Sequence, residues 1–212
     1  MQALTRYNQI LPNAYALDNA LRAISYSCAL YSASVPPSEW TKWLDELKGK
    51  ASETRYVNRL IVGLPASVAG YFAYGEETST EATLGRIMAM SMILYHPIEH
   101  IWWASTFKTK LFDIDGNAWS QWSCRCWVVY VLCDLIGTLR RIRDIDSKPS
   151  HDLKTAKDRR NLLIWLTCIL ADAPLAIQYS VNQGPFSDML LNWAGWYGGV
   201  AGLYLRWLKL AG

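Results

Sequence analysis

Met189–Leu205 reads MLLNWAGWYGGVAGLYL, 17 residues without a charge, closed by Arg206 and Lys209. Seventeen lies at the low end of the roughly 17–25 apolar residues a helix needs to cross a bilayer. The two cations beyond it are placed to snorkel back to headgroups. Gly195 and Gly199, and Gly198 and Gly202, form two overlapped Gly-x-x-x-Gly pairs within it. Glycines four apart let helix backbones approach closely where lipid removes any hydrophobic drive to associate. The four predict self-association or tight packing on a neighbouring helix.

Working outward, the 212-residue chain carries 18% charged and 51% hydrophobic residues, with 11 Trp and 12 Tyr. An ordinary soluble domain is about 25% charged. So few charges exclude a disordered chain and a nucleic-acid arm, and a net charge of +3 gives no polyanion binder overall. Trp and Tyr suit the membrane–water interface, where one ring edge is wet and the other dry.

The long segments keep a 3.6-residue apolar rhythm and lack hairpin signals, which predicts an all-α fold: a helical integral membrane protein with N-terminal amphipathic helices ahead of a bundle of membrane helices. The first helix is expected over 13–33, with Leu17, Leu21, Ile24, Cys28 and Tyr31 on one stripe and Asp18, Arg22 and Ser25 off it. That stripe packs on a core or lies at acyl depth in one leaflet, favouring curvature. Leu4, Tyr7 and Leu11 extend the rhythm, and Pro12 marks a kink or start.

Ser38 is expected to cap a short second helix ending near Gly49, and Ser52 a third that turns apolar from Leu60 to Tyr74. Further segments cover 81–106, kinked at Pro97, then 118–143, 161–181 and the final helix. The expected organisation is an amphipathic region over 1–75, a membrane hairpin over 81–145, a basic cytosolic linker over 146–160, and a second hairpin over 161–212. Eight Lys and Arg face four Asp between 140 and 160. Positive residues beside spans stay cytosolic, which places that segment and both termini in the cytosol. Glu99, Arg125, Asp134 and Asp172 within the apolar segments need a bundle interior or a wet cavity; a half-embedded helix in place of one span pair is the alternative.

Five cysteines, none in a Cys-x-x-Cys pair, most within apolar runs, predict reduced thiols in a reducing compartment. The N-terminus has no signal-peptide pattern, and no Asn-x-Ser/Thr sequon occurs.

Two motifs bear on chemistry. His96-Pro-Ile-Glu99-His100 matches the H-x-x-E-H spacing of inverted zincins, in which two imidazoles one turn apart hold zinc and a carboxylate acts as base. Pro97 and the want of a third ligand favour inward polar contacts at a helix kink instead. Asp113-Ile-Asp115-Gly-Asn117 has part of a calcium-loop spacing and is read as a capping turn. No nucleophile–base pair follows from spacing. The expectation is no enzyme, no metal and no cofactor.

The stretch Leu94-Tyr-His-Pro-Ile-Glu-His-Ile-Trp-Trp103 resembles the Tyr-Tyr-Pro-x-Glu-His-x-x-Trp segment of the peroxin-11 family of peroxisomal membrane-elongation proteins. Asp172-Ala-Pro-Leu-Ala-Ile-Gln-Tyr-Ser180, Ser187-Asp188 and the Gly-rich helix ending Gly202-Leu-Tyr204 and Trp207 are similar to its C-terminal region. Glu53-Thr-Arg-Tyr-Val-Asn-Arg-Leu60 stands where that family has an Arg-rich third helix. The short 140–160 linker looks closest to the gamma subgroup. The first helix departs by carrying few Lys and Arg. The resemblance implies an integral peroxisomal membrane protein that self-associates, bends and elongates the bilayer, and recruits a dynamin-related GTPase and its adaptor. It also accounts for His96, Glu99 and His100 without zinc. Two other functions stay open from the residues: a pore for small metabolites lined by groups such as Asp134 and Asp172, and a zinc hydrolase.

Overall fold

The computed structural model describes residues 13–109, 113–147 and 152–211. The expected features at Leu4, Tyr7, Leu11, Pro12 and His151 lie outside them. Every regular element among the described residues is helical. In chain order these are α1 (Ala14–Ser34), α2 (Glu39–Asn58), a π-turn (Arg59–Gly63), α3 (Leu64–Phe72), α4 (Thr80–Ser105), α5 (Gly116–Asp146), α6 (Leu153–Ser180) and α7 (Asp188–Ala211).

Local chemistry sets most of these ends. Asn13 accepts from the N–H groups of Tyr15 and Ala16 to open α1. Ser38 and Thr41 exchange side-chain and backbone bonds at the start of α2. Gly75, at φ 49°, turns the chain after α3, and Ser79 accepts from Ala82 N–H to open α4. Asp115 accepts from Asn117 and Ala118 N–H, so the fragmentary calcium spacing is a helix cap.

Two expectations are corrected. The second and third helices are one continuous run from Glu39 to Phe72, interrupted only by the π-turn. No proline falls between Ser38 and Leu64, and an interior glycine such as Gly49 costs a helix only about 1 kcal/mol, too little to break it. Ser52 is therefore no cap; it lies in mid-helix and bonds Ser25. The basic linker is also mostly helix: α5 runs to Asp146, and α6 opens at Leu153, where Asp152 accepts from Thr155 N–H at 2.7 Å. Lys and Arg are good helix formers, so a charged stretch continues a helix as readily as it ends one.

The chain divides into two compact units. One holds the described residues up to Arg55, with Thr138–Asp172 and those from Ser187 onward; the other holds Tyr56–Gly137 and Ala173–Phe186. Among the described residues α5 and α6 are long and apolar enough to cross a membrane. The Gly-rich α7, although uncharged over its centre, does not meet that measure, because glycine and aromatic rings add little hydropathy.

In the first unit α1 sits between α2 and α7. Towards α2, Arg55 donates to both oxygens of Asp18 at 3.2 Å, and Ser25 Oγ lies 3.0 Å from Ser52 Oγ. Towards α7, all four glycines meet α1. A Cβ built at Gly199 would lie 2.8 Å from Ala23 N and 2.9 Å from Asn19 O, both backbone atoms with no room to yield. Gly195 faces the Tyr26 ring, Gly198 the Arg22 guanidinium, and Gly202 the Asn19 amide. Gly199→Leu is accordingly expected to unseat α1, seen as protease cleavage within 14–34 and a Tm several degrees lower in detergent. Gly49→Ala, where nothing lies within 4 Å, is expected to stabilise by about 0.5–1 kcal/mol in the same assay.

Candidate functional site

The residues that matter fall into a surface pattern and two buried polar clusters. The surface pattern inverts that of a water-soluble bundle. On α5, Gln121, Ser123, Asp134 and Thr138 are buried, whereas Trp122, Val129, Leu132, Ile136 and Leu139 are about half exposed. On α6 the outward residues are Leu163, Leu170 and Ile177; on α7 they are Trp193, Tyr197, Val200 and Tyr204, recurring at three and four residues. On α5 polar groups thus face in; on all three helices large apolar groups face out, while α6 and α7 also bury Ile169, Leu175, Leu191 and Leu205.

α1 repeats this arrangement. Its seat on α7 is formed by Asn19, Arg22, Ala23 and Tyr26, which lie on the side of the helix opposite Leu17, Leu21 and Ile24. Of the predicted apolar stripe, Cys28 is buried, Leu17 and Leu21 are half-buried, and Ile24 and Tyr31 are exposed. The α7 contact therefore leaves the stripe aside, and Ile24 and Tyr31 stay exposed.

The first cluster is centred on Arg22, which sequence reasoning set aside as off-stripe. Its Nη2 lies 2.5 Å from Asp172 Oδ1 on α6, and its Nε donates to Gly195 O on α7 at 3.0 Å. Burial works against the guanidinium charge; Asp172, by charge and hydrogen bond, more than offsets it and holds the Arg22 pKa above its ordinary value. Asp172, expected as an intramembrane polar group, is thus half of an ion pair. Asp134, from the same expectation, is buried on α5.

The second cluster, in the other unit, gathers His96, Glu99 and His100 with Arg59 and Tyr95, two residues of the quoted stretches to which no role was given. Arg59 opens the π-turn, where the ladder of helix hydrogen bonds shifts by one residue, as is frequent at functional sites. Its Nη1 donates to Glu99 Oε1 at 2.8 Å and to Tyr95 Oη at 3.1 Å, and the Tyr95 hydroxyl donates to the same Glu99 oxygen. The His96 ring lies against Gly63, where a Cβ would stand 2.7 Å from Nε2. His100 turns Nδ1 to His96 O at 2.5 Å and Nε2 to Tyr56 O at 3.0 Å. With both His100 nitrogens on backbone carbonyls, H-x-x-E-H does not close as a zinc site here. It joins α4 to the π-turn. A periodic Arg-x-x-x-Arg (Arg55, Arg59) beside an apolar run was the available sign that the helix carries buried cations to fixed partners.

Removing one member of a buried ion pair costs roughly 3–5 kcal/mol, whereas replacing both with apolar groups is often neutral. Arg59→Met and Arg22→Met are each expected to lower thermal stability by that order. Arg59→Met/Glu99→Leu and Arg22→Met/Asp172→Leu should recover most of it, as read by unfolding in detergent.

No curated protein and no solved structure matches the chain. The description of the family Peroxisomal biogenesis factor 11 (PEX11) matches residues 4–207, nearly the whole length. With that match spanning both helical units, the chain belongs to the peroxisomal biogenesis factor 11 family.

Proposed function

We propose that this chain is an integral peroxisomal membrane protein that self-associates and promotes elongation of the membrane before fission. Membership of the family ties it to peroxisome biogenesis. The observation that carries the finer reading is the outer surface: exposed apolar rows on α5, α6 and α7, lying on α5 over buried polar groups. In water such rows are a liability; in hydrocarbon they are the solvated face, and buried Gln, Asp and Thr are what helices use to pack there. α5 and α6, 31 and 28 residues long, are the span pair, with the 140–160 turn and both termini on the cytosolic side. The apolar stripe of α1, left out of the α7 contact, is available to one leaflet, where insertion on one side favours bending.

The four glycines bear on how copies meet. In this arrangement α1 occupies them, so self-association through that face requires α1 to leave it. The fission machinery, a dynamin-related GTPase and its adaptor, follows from the family resemblance and completes the proposed role. A pore has less support: Asp172, the group it would line with, is neutralised by Arg22.

Leu132, 52% exposed on α5, separates lipid from water as its surroundings. Leu132→Glu is expected to release the protein into the alkaline carbonate wash of isolated organelles, whereas the native chain stays in the pellet. On a water-facing helix the same change would be within about 0.5 kcal/mol of neutral and would leave fractionation unaltered. For remodelling, purified protein is expected to tubulate liposomes, and Leu21→Asp/Ile24→Asp to leave them round. Round vesicles with both proteins would remove bending from the proposal.

A further inference from the structure

The formal charge of the chain is concentrated at one place. Within the described residues of 140–160 stand seven of the 21 Lys and Arg and four of the 18 Asp and Glu, so the rest of the chain balances at 14 of each sign. These seven lie on the facing ends of α5 and α6. Arg140, Arg143, Lys154 and Arg160 are exposed. Arg140 and Arg143 are three residues apart, and so are Lys154, Lys157 and Arg160, so each helix end carries its cations along one row.

We propose that these two helix ends form a docking surface for the phosphate-bearing headgroups of anionic lipids in the leaflet from which they emerge. The proposal rests on α5 and α6 being the span pair. Its support is position. On α5 the segment Cys126–Leu139 carries one charge, Asp134, and Arg140 follows at once; on α6 Asn161–Ser180 carries one, Asp172, and Arg160 precedes it directly. At about 1.5 Å per residue the cations from Arg140 to Arg143 and from Arg160 to Lys154 cover about 5 and 9 Å beyond the uncharged stretches. The headgroup layer on each side of a bilayer is about 5–8 Å deep. The charges are therefore stacked through the depth where lipid phosphates lie, rather than projected clear of it as a protein-binding tail would be.

The surface is also held in shape. Arg159 donates to both oxygens of Asp146, at 2.6 and 3.3 Å, and ties the end of α5 to the start of α6. Helix runs to Asp146 on one side and from Leu153 on the other, so each row keeps its spacing and little ordering is needed on binding.

The test uses the full chain reconstituted in vesicles of phosphatidylcholine alone or doped with phosphatidylinositol, with retained lipid read by native mass spectrometry. The native chain is expected to retain phosphatidylinositol over phosphatidylcholine, less so as salt rises. A basic residue near an anionic surface is worth about fivefold in affinity, the ratio set by about 1 kcal/mol. Arg140→Gln/Arg143→Gln/Lys154→Gln/Arg160→Gln is expected to reduce the preference by more than a hundredfold. Asp144→Asn/Asp158→Asn, which leaves every basic residue in place, is expected to raise it several-fold and guards against a misfolded quadruple variant. Flotation with pure phosphatidylcholine vesicles reports insertion separately: a chain that does not float fails as a membrane protein, and the headgroup proposal falls with it. A chain that floats but retains both lipids alike, or whose variants match it, overturns the headgroup proposal alone. Equal binding of inositol hexakisphosphate by the detergent-solubilised chain would assign the surface to a soluble phosphate ligand, and preferential capture of an acidic polypeptide would assign it to a protein; either result overturns the lipid assignment.

Discussion

Backbone against backbone, with no side chain between, is the contact on which the first unit depends. Gly199 lets Ala23 N and Asn19 O approach to distances that a single Cβ would forbid. Once the two axes are that close, side chains are sorted by what fits. Arg22 reaches past Gly198 to Asp172 and bonds Gly195 O, while Tyr26 lies over Gly195. Small residues supply proximity and a buried ion pair supplies direction. That division of labour suits an apolar medium, where packing and polar contacts must hold helices together without help from water.

The second unit solves a similar problem by another route. Arg59, Tyr95 and Glu99 form a closed set of charge-assisted bonds, and the π-turn brings Arg59 to them. Such a cluster contributes little net stability because desolvating the charges offsets most of their attraction. It contributes register instead: Gly63 accepts the His96 ring and no other spacing along that helix offers both the gap and the cation. The histidines that looked like metal ligands orient helices through their own backbone contacts.

These two devices supplement a small apolar core, Cys168, Ala201 and Leu205 with Ile164 and Trp165, and leave many large apolar side chains outside it. Ile24 and Tyr31 on α1, Leu132 and Ile136 on α5, and Trp193 and Tyr197 on α7 all point away from the contacts that hold their helices. A family of peroxisome biogenesis factors whose member packs by glycine, arginine and carboxylate, with its oily residues outward, is consistent with work done in and on a bilayer. The basic ends of α5 and α6 extend the same logic from the hydrocarbon to the headgroups.

Much of this was legible along the chain. The 3.6-residue rhythm set the helical class, Ser38 and the Asp113–Asn117 turn marked helix starts, and the run of short motifs pointed to the family. These are local properties, determined by residues within a turn or two of one another. Other features were not legible, because they depend on what arrives from a distance. The fusion of 39–72 into one interrupted helix turned on the absence of any strong breaker before Leu64, which weighs less to the eye than Gly49 does. That the glycines of α7 are filled by α1, that Arg22 is the partner of Asp172, and that Arg59 closes on Glu99 were decided only by tertiary packing. Residues 150 positions apart share no local signal, and an arginine off an apolar stripe looks like solvent-facing charge until a carboxylate meets it in three dimensions.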